Sequence, residues 1–436
     1  MFGAAILLCY NSTVMRREIR VAIETLGCKL NQAESETLAR QLAAAGCQVV
    51  SPGEMADAYI LNTCTVTHIA DRKSRHLLRM AKRINPAVFT VATGCYANRV
   101  ESELWALRDL DLIVKNEDKG SLSEIIAQRL GATGSAARIE SSLRTRAFIK
   151  AQDGCNRCCA YCIVPLVRGR EKSLPADKVI AEIDARVAEC YKEVVLTGTE
   201  IGSYSSDGLD IKGLLERILN ETEIERLRVS SLQPYEIIPA LLALWKSPRL
   251  CPHFHISLQS GADNVLTRMK RGYSASDYAK ALAMIRAELP EAVITTDVIV
   301  GFPGETDAEF QETVDFCRRM GFARIHVFAF SPRPGTAAAT MPGQVDARVK
   351  KERSAKMLVL AKESAGEFRL RFSGKTMDVL WEQKSETSIW SGYTPNYIRV
   401  YTRSTRDLTN IMTETRLVKL YRDGVWGELT HPEENE

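Results

Sequence analysis

The run DGCNRCCAYCIVPLVRGR, Asp153 to Arg170, sets four cysteines within eight residues: Cys155, Cys158, Cys159 and Cys162. Thiols at this density form a disulfide staple, a zinc knot or a redox-active metal centre. Twelve cysteines in 436 residues are too thinly spread for a secreted disulfide framework, a device of short chains. Metal binding or thiol chemistry in a reducing cytoplasm is expected instead. Cys155, Cys159 and Cys162 have C-x3-C-x2-C spacing, whereas Cys155 and Cys158 make only half of a zinc knuckle. No second C-x2-C follows at zinc-finger spacing.

Cys28 (TLGCKLNQ), Cys64 (LNTCTVT) and Cys95 (ATGCYAN) each directly follow an expected strand, 36 and 31 residues apart. In a parallel sheet those positions share one edge, so three thiolates converge. They would suit an iron–sulfur cluster with one iron left open, or a zinc site completed by a fourth ligand. The plain alternative is three buried cysteines acting as small apolar side chains. That reading suits Cys9, Cys47, Cys190, Cys251 and Cys317, which stand in helical, apolar or terminal contexts.

The elements that must position these residues are legible as alternating patterns. From Arg20 to about Leu130, the runs RVAIETL, AYILNT, VFTVATG and LDLIVK read as buried parallel strands. ESETLARQLAAAG and Asp71 to Arg83 read as helices between them, which argues for an α/β sandwich. GATGSAAR, Gly131 to Arg138, has linker composition. Next come AFIKAQ, EVVLT, LRVSS, HFHISL, VITTDVIV and ARIHVFAF, separated by helical stretches. Six such units suit a partial (βα)6 barrel, with functional groups at the C-terminal ends of its strands. A long helix is expected over about Ala347 to Phe372, and then TMDVLWE, YIRVYTR and TRLVKLY predict a small all-β barrel.

At 45% hydrophobic and 26% charged residues, the chain reads as a soluble protein of two or three domains. Its start has a short apolar run with no basic residue ahead of it, a poor signal peptide. Residues 1–17 are expected to be disordered or a mis-assigned start, with Met15 the natural one. No segment approaches the roughly 20 apolar residues of a membrane span, so no membrane partner is expected. A net charge of +4 announces no nucleic-acid partner for the whole chain, and any such contact must be local.

The C-x3-C-x2-C spacing, with Tyr161 before the last cysteine, resembles the radical S-adenosylmethionine (SAM) superfamily. The resemblance implies that Cys155, Cys159 and Cys162 hold three irons of a [4Fe–4S] cluster whose fourth iron binds SAM. One electron then cleaves SAM to a 5′-deoxyadenosyl radical. In order along the chain, ETLGCKLNQAESE, LNTCTVT, TGCYA, GCNRCCAYCIVPLVRGREKS, SLQSGADNVLTRMKRGY, TDVIVGFPGET and SPRPGTAA resemble the methylthiotransferases. This likeness runs from Arg20 nearly to the C-terminus. It implies an N-terminal methylthiotransferase domain over residues 18–130, a radical-SAM domain over 141–372 and an RNA-binding, TRAM-like β-barrel over 373–436.

It also implies a second [4Fe–4S] cluster on Cys28, Cys64 and Cys95, whose open iron holds the sulfur to be donated. Two SAM molecules are implied, one to methylate that sulfur and one to supply the radical that takes hydrogen from C2 of an adenine. TLGCK-NQ, LTG followed by GSY, and GYTPNYIRVY resemble the branch that acts on N6-threonylcarbamoyladenosine beside the tRNA anticodon. The isopentenyladenosine branch reads closer to YGCQMN, and the ribosomal-protein aspartate branch closer to LGCPKN.

For SAM, the resemblance implicates Gly198, Thr199 and Glu200, similar to a GGE element that meets the methionine amine, together with Ser231, Gln233, Gln259 and Gly301. Gln233 departs from the pattern, which often has Glu there. For RNA, Arg72 and Arg75 on the basic helix, and Tyr397 and Arg399 on the terminal barrel, are the expected contacts. A low-potential electron donor such as flavodoxin or ferredoxin, a sulfur source and a cytoplasmic location complete the expectation. A non-catalytic, zinc-stabilised RNA-binding protein is the reading from another class.

Overall fold

The computed structural model describes residues 18–107, 109–132, 145–385 and 388–430. The expected start at Met15 and most of the expected linker, from residue 133 onward, lie outside those residues.

The first unit is a five-stranded parallel sheet. Its strands β1 (Ile19–Thr25), β2 (Cys47–Val50), β3 (Ala58–Thr63), β4 (Phe89–Gly94) and β5 (Leu112–Val114) lie in the order β2-β1-β3-β4-β5. The central strand, AYILNT, is buried along its whole length, as parallel strands covered on both faces must be. Helix α1 (Lys29–Ala44) buries Leu30, Ala33, Leu38 and Leu42. Helix α2 (His68–Ile84) buries only Asp71, Ser74 and Leu78 and leaves a charged face to solvent, and Thr67 caps it by accepting from the Ala70 amide at 3.2 Å. Cys47–Val50, too short to stand out as a strand in sequence, forms the sheet edge beside β1.

The second unit is an arc of parallel strands, matching the six expected repeats: β6 (Arg146–Lys150), then Glu193–Thr197, Arg226–Val229, His253–Ile256, Val293–Val300 and Arg324–Ala329. The third repeat differs from expectation. LRVSS is not one continuous strand: Arg226–Val229 pairs with Glu193–Thr197, the chain bends at Ser230, and Ser231–Leu232 pairs with the next strand. This divides the arc into a three-stranded and a four-stranded sheet around one large core. Helix α1 packs against β6 at the open side of the arc, where Ala33, Phe148 and Val195 bury together and the Phe148 amide donates to Glu36 at 3.2 Å.

The long helix Ala347–Leu370 lies across the last strand and leads into a closed five-stranded barrel over Thr376–Leu429. Trp381, Val400 and Leu417 fill that barrel, while Phe368 and Phe372 tie it to the helix.

Candidate active site

Cys28, Cys64 and Cys95 stand just past the C-terminal ends of β1, β3 and β4, three neighbouring strands. Two glycines draw them together. Gly27 has φ +106°, and a Cβ there would lie 2.9 Å from Cys64 Cβ and 3.0 Å from its Sγ. Gly94 has φ +93°, and a Cβ there would lie 2.5 Å from the Thr63 carbonyl. Only glycine takes up such backbone at so close an approach. Asn31 closes the arrangement by donating to Leu26 O at 2.7 Å and Thr63 O at 3.0 Å. Burial pushes the Cys64 thiol up to about 11 and raises that of Cys95 as well. A bound cation reverses that order, because metal ligation removes the thiol proton.

The second trio sits in the loop after β6. An antiparallel pair, Gln152–Asp153 with Lys172–Ser173, pins the loop's two ends, and Gly154 at φ +70° packs directly on the Arg170 carbonyl. Within the loop, the Arg157 amide donates to Cys155 Sγ at 3.3 Å and the Arg271 guanidinium donates to Cys159 Sγ at 3.2 Å. Burial lifts Cys155 to about 12, helped by its thiol donating to the Glu200 carboxylate at 3.0 Å, and burial lifts Cys162 to about 11. Cys158 is exposed, its thiol reaching the Asn156 carbonyl at 4.0 Å.

The two trios adjoin. Cys95 is buried in one small cluster with Ile163, the residue after Cys162, and with Val167. Beside them lies a cavity of about 190 Å³ lined by Thr67, Cys162, Gln259, Asp297, Phe330 and Ser331. One wall comes from the first unit and the rest from the arc. Two buried ion clusters hold these walls in register. Glu34 of α1 meets Lys119 at 2.5 Å and Arg168 at 3.0 Å, and Arg168 also meets Asp153 at 2.9 Å. Burial alone would raise the Glu34 carboxyl, but Lys119 and Arg168 hold it well below the usual carboxylate range. In the second cluster, Arg333 and Arg99 share the buried Asp71, Arg99 at 2.9 Å.

Of the residues expected at SAM, Glu200 stands closest to the cysteine loop. Besides the Cys155 thiol, it accepts from Arg157 at 2.9 Å and from the Tyr235 hydroxyl at 2.8 Å. Burial opposes its charge, yet these three donors hold its carboxyl low. Gly198 fits against Gln152, where a Cβ would come within 2.8 Å of Oε1, and the same Oε1 accepts from the Glu200 amide. Thr199 reaches Asp153 at 3.5 Å. Gln233 accepts from Arg271 through Oε1, and Ser231 lies on the short strand before it. Gln259 has φ +70° and pairs by its backbone with the strand carrying Asp297, so its side chain enters the cavity. Gly301, at φ +72°, donates its amide to Glu305 at 2.6 Å and abuts Lys350. Tyr161 lies edge-on to Phe302 with ring centroids 6.5 Å apart. Arg271 is bound into the site through Cys159 and Gln233, whereas Arg268 is occupied by Glu309 at 2.8 Å.

The expected RNA contacts divide. Arg72 is exposed, and with Lys73, Arg79 and Arg83 it makes no hydrogen bond or ion pair among the described residues. Arg75 is half-buried, donating to the Tyr96 hydroxyl. Tyr397 is a correction. Its hydroxyl accepts from Arg146 at 3.0 Å and its ring lies between His253 and Tyr393, with centroids 4.7 and 4.9 Å away. It is part of the joint between the arc and the terminal barrel, and protein takes up the faces that RNA bases would stack on. Arg399 pairs with Asp423 at 3.1 Å.

Sequence reasoning missed Glu34, Lys119, Arg168, Asp71 and Arg333, the joint that aligns the two trios. It also missed His255, Asp297 and His326, whose donor atoms all lie within 4.8 Å of one another inside the arc. Among the described residues neither cysteine trio draws that close, although sulfurs around a tetrahedral zinc stand roughly 3.8 Å apart. Three thiols beside a carboxylate, fed by amide and guanidinium donors, are a donor set that fits a [4Fe–4S] cluster with one open iron. Among the described residues, no helix is long and apolar enough to cross a membrane.

Comparison with known proteins gives the family. The radical SAM superfamily matches residues 149–317, and the uncharacterized protein family UPF0004 matches residues 20–115. The chain is 35% identical over 424 residues to the threonylcarbamoyladenosine tRNA methylthiotransferase MtaB of Bacillus subtilis (strain 168), covering 92% of this chain and 94% of that one. To the protein of the same name from Aquifex aeolicus (strain VF5) it is 36% identical, covering 88% and 96%. In fold it is similar to the radical S-adenosylmethionine methyltransferase TsrM from Kitasatospora setae, solved with cobalamin and a [4Fe–4S] cluster bound. There the TM-score is 0.56 at 14% identity, over 74% of this chain and 77% of that one. With its two matched domains in order and relatives above 30% identity along nearly its whole length, the chain belongs to the radical SAM methylthiotransferase family.

Proposed function

We propose that this enzyme attaches a methylthio group to C2 of N6-threonylcarbamoyladenosine at position 37 of tRNA. The observation that carries the reading is the cavity bounded on one side by Thr67, three residues past Cys64, and on the other by Cys162 itself. A base held there would lie against Cys162 of the second trio and against the segment that follows Cys64 of the first. On this reading Cys155, Cys159 and Cys162 hold the SAM cluster, and Cys28, Cys64 and Cys95 hold a second [4Fe–4S] cluster that carries the sulfur. When bound, the clusters and SAM supply the one-electron chemistry needed at an unactivated C–H bond, which no side-chain base can deprotonate at neutral pH.

The chain's own residues bind and orient. Glu200, kept ionised by Arg157 and Tyr235, offers a carboxylate to the methionine ammonium. Arg271 and the Arg157 amide donate to the cluster thiolates. Gln259 and Phe330 confine the base. Arg72, Lys73, Arg79 and Arg83 on α2, which starts at the cavity mouth, are placed to follow a phosphate backbone. We assign residues 18–130, 141–372 and 373–436 to the sulfur-carrying, radical and RNA-binding parts. The partners are tRNA, a low-potential electron donor of the flavodoxin or ferredoxin kind and a sulfur source, all in the cytoplasm.

Mass spectrometry of tRNA nucleosides from strains with and without the gene tests this. Deletion should remove 2-methylthio-N6-threonylcarbamoyladenosine and leave its unthiolated precursor. An unchanged pool overturns the reading, and loss of a methylthiolated ribosomal aspartate instead would transfer the chain to that branch.

A further inference from the structure

One layer of the arc's interior is polar, where parallel barrels are ordinarily filled by branched apolar side chains. Asp297 and His326 are register partners on the neighbouring strands Val293–Val300 and Arg324–Ala329, so their side chains share one face. Two residues further along the same strands, Ile299 and Phe328 line the cavity, which fixes that face as the inward one. His255, from the strand His253–Ile256, completes the layer, with Nε2 lying 3.2 Å from Asp297 Oδ1. One donor atom from each of the three residues lies within 4.8 Å of the other two.

The layer has the features of a ligand shell. Ligands bound about 2.1 Å from one ion, at right or tetrahedral angles, stand roughly 3.0–3.4 Å apart, and the His255–Asp297 separation falls in that range. Ser257 donates to Asp297 Oδ2 at 3.2 Å, which orients the carboxylate and leaves Oδ1 toward His255. Nδ1 of His255 is buried without a hydrogen-bond partner among the described residues, so no partner fixes the tautomer and Nε2 can present its lone pair. A hydrogen-bonded pair built only to satisfy a buried carboxylate would account for His255 and not for His326. The His326 ring stands 5.9 Å from that of His255, centroid to centroid, and makes no hydrogen bond among the described residues. Two imidazoles and one carboxylate are the ligand set of open sites for zinc or iron(II), which keep further positions for water or a substrate oxygen.

We infer that His255, Asp297 and His326 bind one divalent cation of the zinc or iron(II) class, at a site separate from both cysteine trios. Asp297 also lines the cavity, so the free positions of the cation open into it, within reach of an oxygen donor on a bound ligand. The cation matches the charge that Asp297 carries into the interior, and it ties three neighbouring strands of the arc together.

The test uses the full chain, anaerobically reconstituted so that the cysteine trios are occupied and then freed of loose metal on a chelating resin. Zn2+ is the probe, added by equilibrium dialysis. Zinc and iron are counted by inductively coupled plasma mass spectrometry, and cluster absorbance is followed alongside. The wild type should take up one zinc per chain with its cluster absorbance unchanged. Asp297→Asn, an isosteric change, and His326→Gln should lose that zinc. Ser257→Ala should weaken it by about 10- to 100-fold, the cost of removing a group that orients a ligand. Cys158→Ala, which removes an exposed free thiol, should keep it. A wild type that takes up no zinc, or takes it up only as cluster absorbance falls, overturns the inference. So does zinc that persists in Asp297→Asn or disappears in Cys158→Ala. Should His326→Gln fail to hold iron, Asp297→Asn and Ser257→Ala decide the matter between them.

Discussion

Replacing Glu34 by Gln tests whether charge holds the two halves of the active site in register. The substitution preserves shape and removes one negative charge from a site where Lys119, Lys150 and Arg168 all converge on it. The side chains of Arg168 and Glu34 are 3% and 7% exposed, so water cannot replace the lost partner. Asp153, the other carboxylate on Arg168, is 25% exposed and cannot neutralise Lys119 as well. Breaking a buried pair from one side costs about 3–5 kcal/mol, against roughly 5–15 kcal/mol for the whole fold. The midpoint of urea unfolding of the apo-protein, followed by tryptophan fluorescence, should therefore fall sharply in Glu34→Gln. The deficit should also depend on pH. Because the folded carboxyl is held below its unfolded value near 4.3, its stabilisation is complete above about pH 4.3 and fades as the pH falls toward the folded value. Wild type and variant should converge in acid. A deficit under about 1 kcal/mol at pH 7, or one that persists unchanged into acid, would refute the argument.

Three further substitutions read other parts of the site. Cys158→Ala should keep about eight irons per reconstituted chain, whereas Cys159→Ala should fall toward about four; the reverse result would mean that the ligand register is misassigned. Glu236, in the loop beside Gln233, has its carboxyl pushed up to about 7, chiefly by burial. An acid raised on folding destabilises the native state increasingly as pH rises from its unfolded value near 4.3 to about 7. Glu236→Gln should therefore be about 1–3 kcal/mol more stable than wild type at pH 8 and equal to it at pH 4, and equal stabilities at pH 8 would contradict the assignment.

The layers of this molecule were legible wherever a pattern is local. Buried strands such as AYILNT and VITTDVIV declare themselves by continuous apolar, β-branched composition, and each cysteine of the first trio follows such a run. The bend at Ser230 was hidden, because LRVSS is a good strand in isolation and the break is imposed by closure of the arc. Tyr397 misled for a related reason. An aromatic on a small barrel reads as a stacking platform until a second domain covers it. The ion clusters were invisible in principle, since Glu34 and Arg168 are 134 residues apart and each reads alone as an ordinary charge on a helix.

That invisibility bears on how the active site is built. The apolar seams between the first unit and the arc are small, Ala33 with Phe148 and Val195, and Cys95 with Ile163 and Val167. Apolar contact is non-directional and would tolerate sliding of one unit over the other. Glu34 with Arg168, and Asp71 with Arg333, are short, oriented pairs with almost no exposure, and each joins the first unit to a later segment of the chain. Buried pairs of this kind add little net stability over apolar packing, but they penalise every alternative register by leaving a charge unmatched. On the function proposed above, a reaction at C2 of one base needs both cysteine trios held to a fraction of an ångström across the boundary between the first unit and the arc. Directional charge supplies that constraint where a broad apolar interface would not.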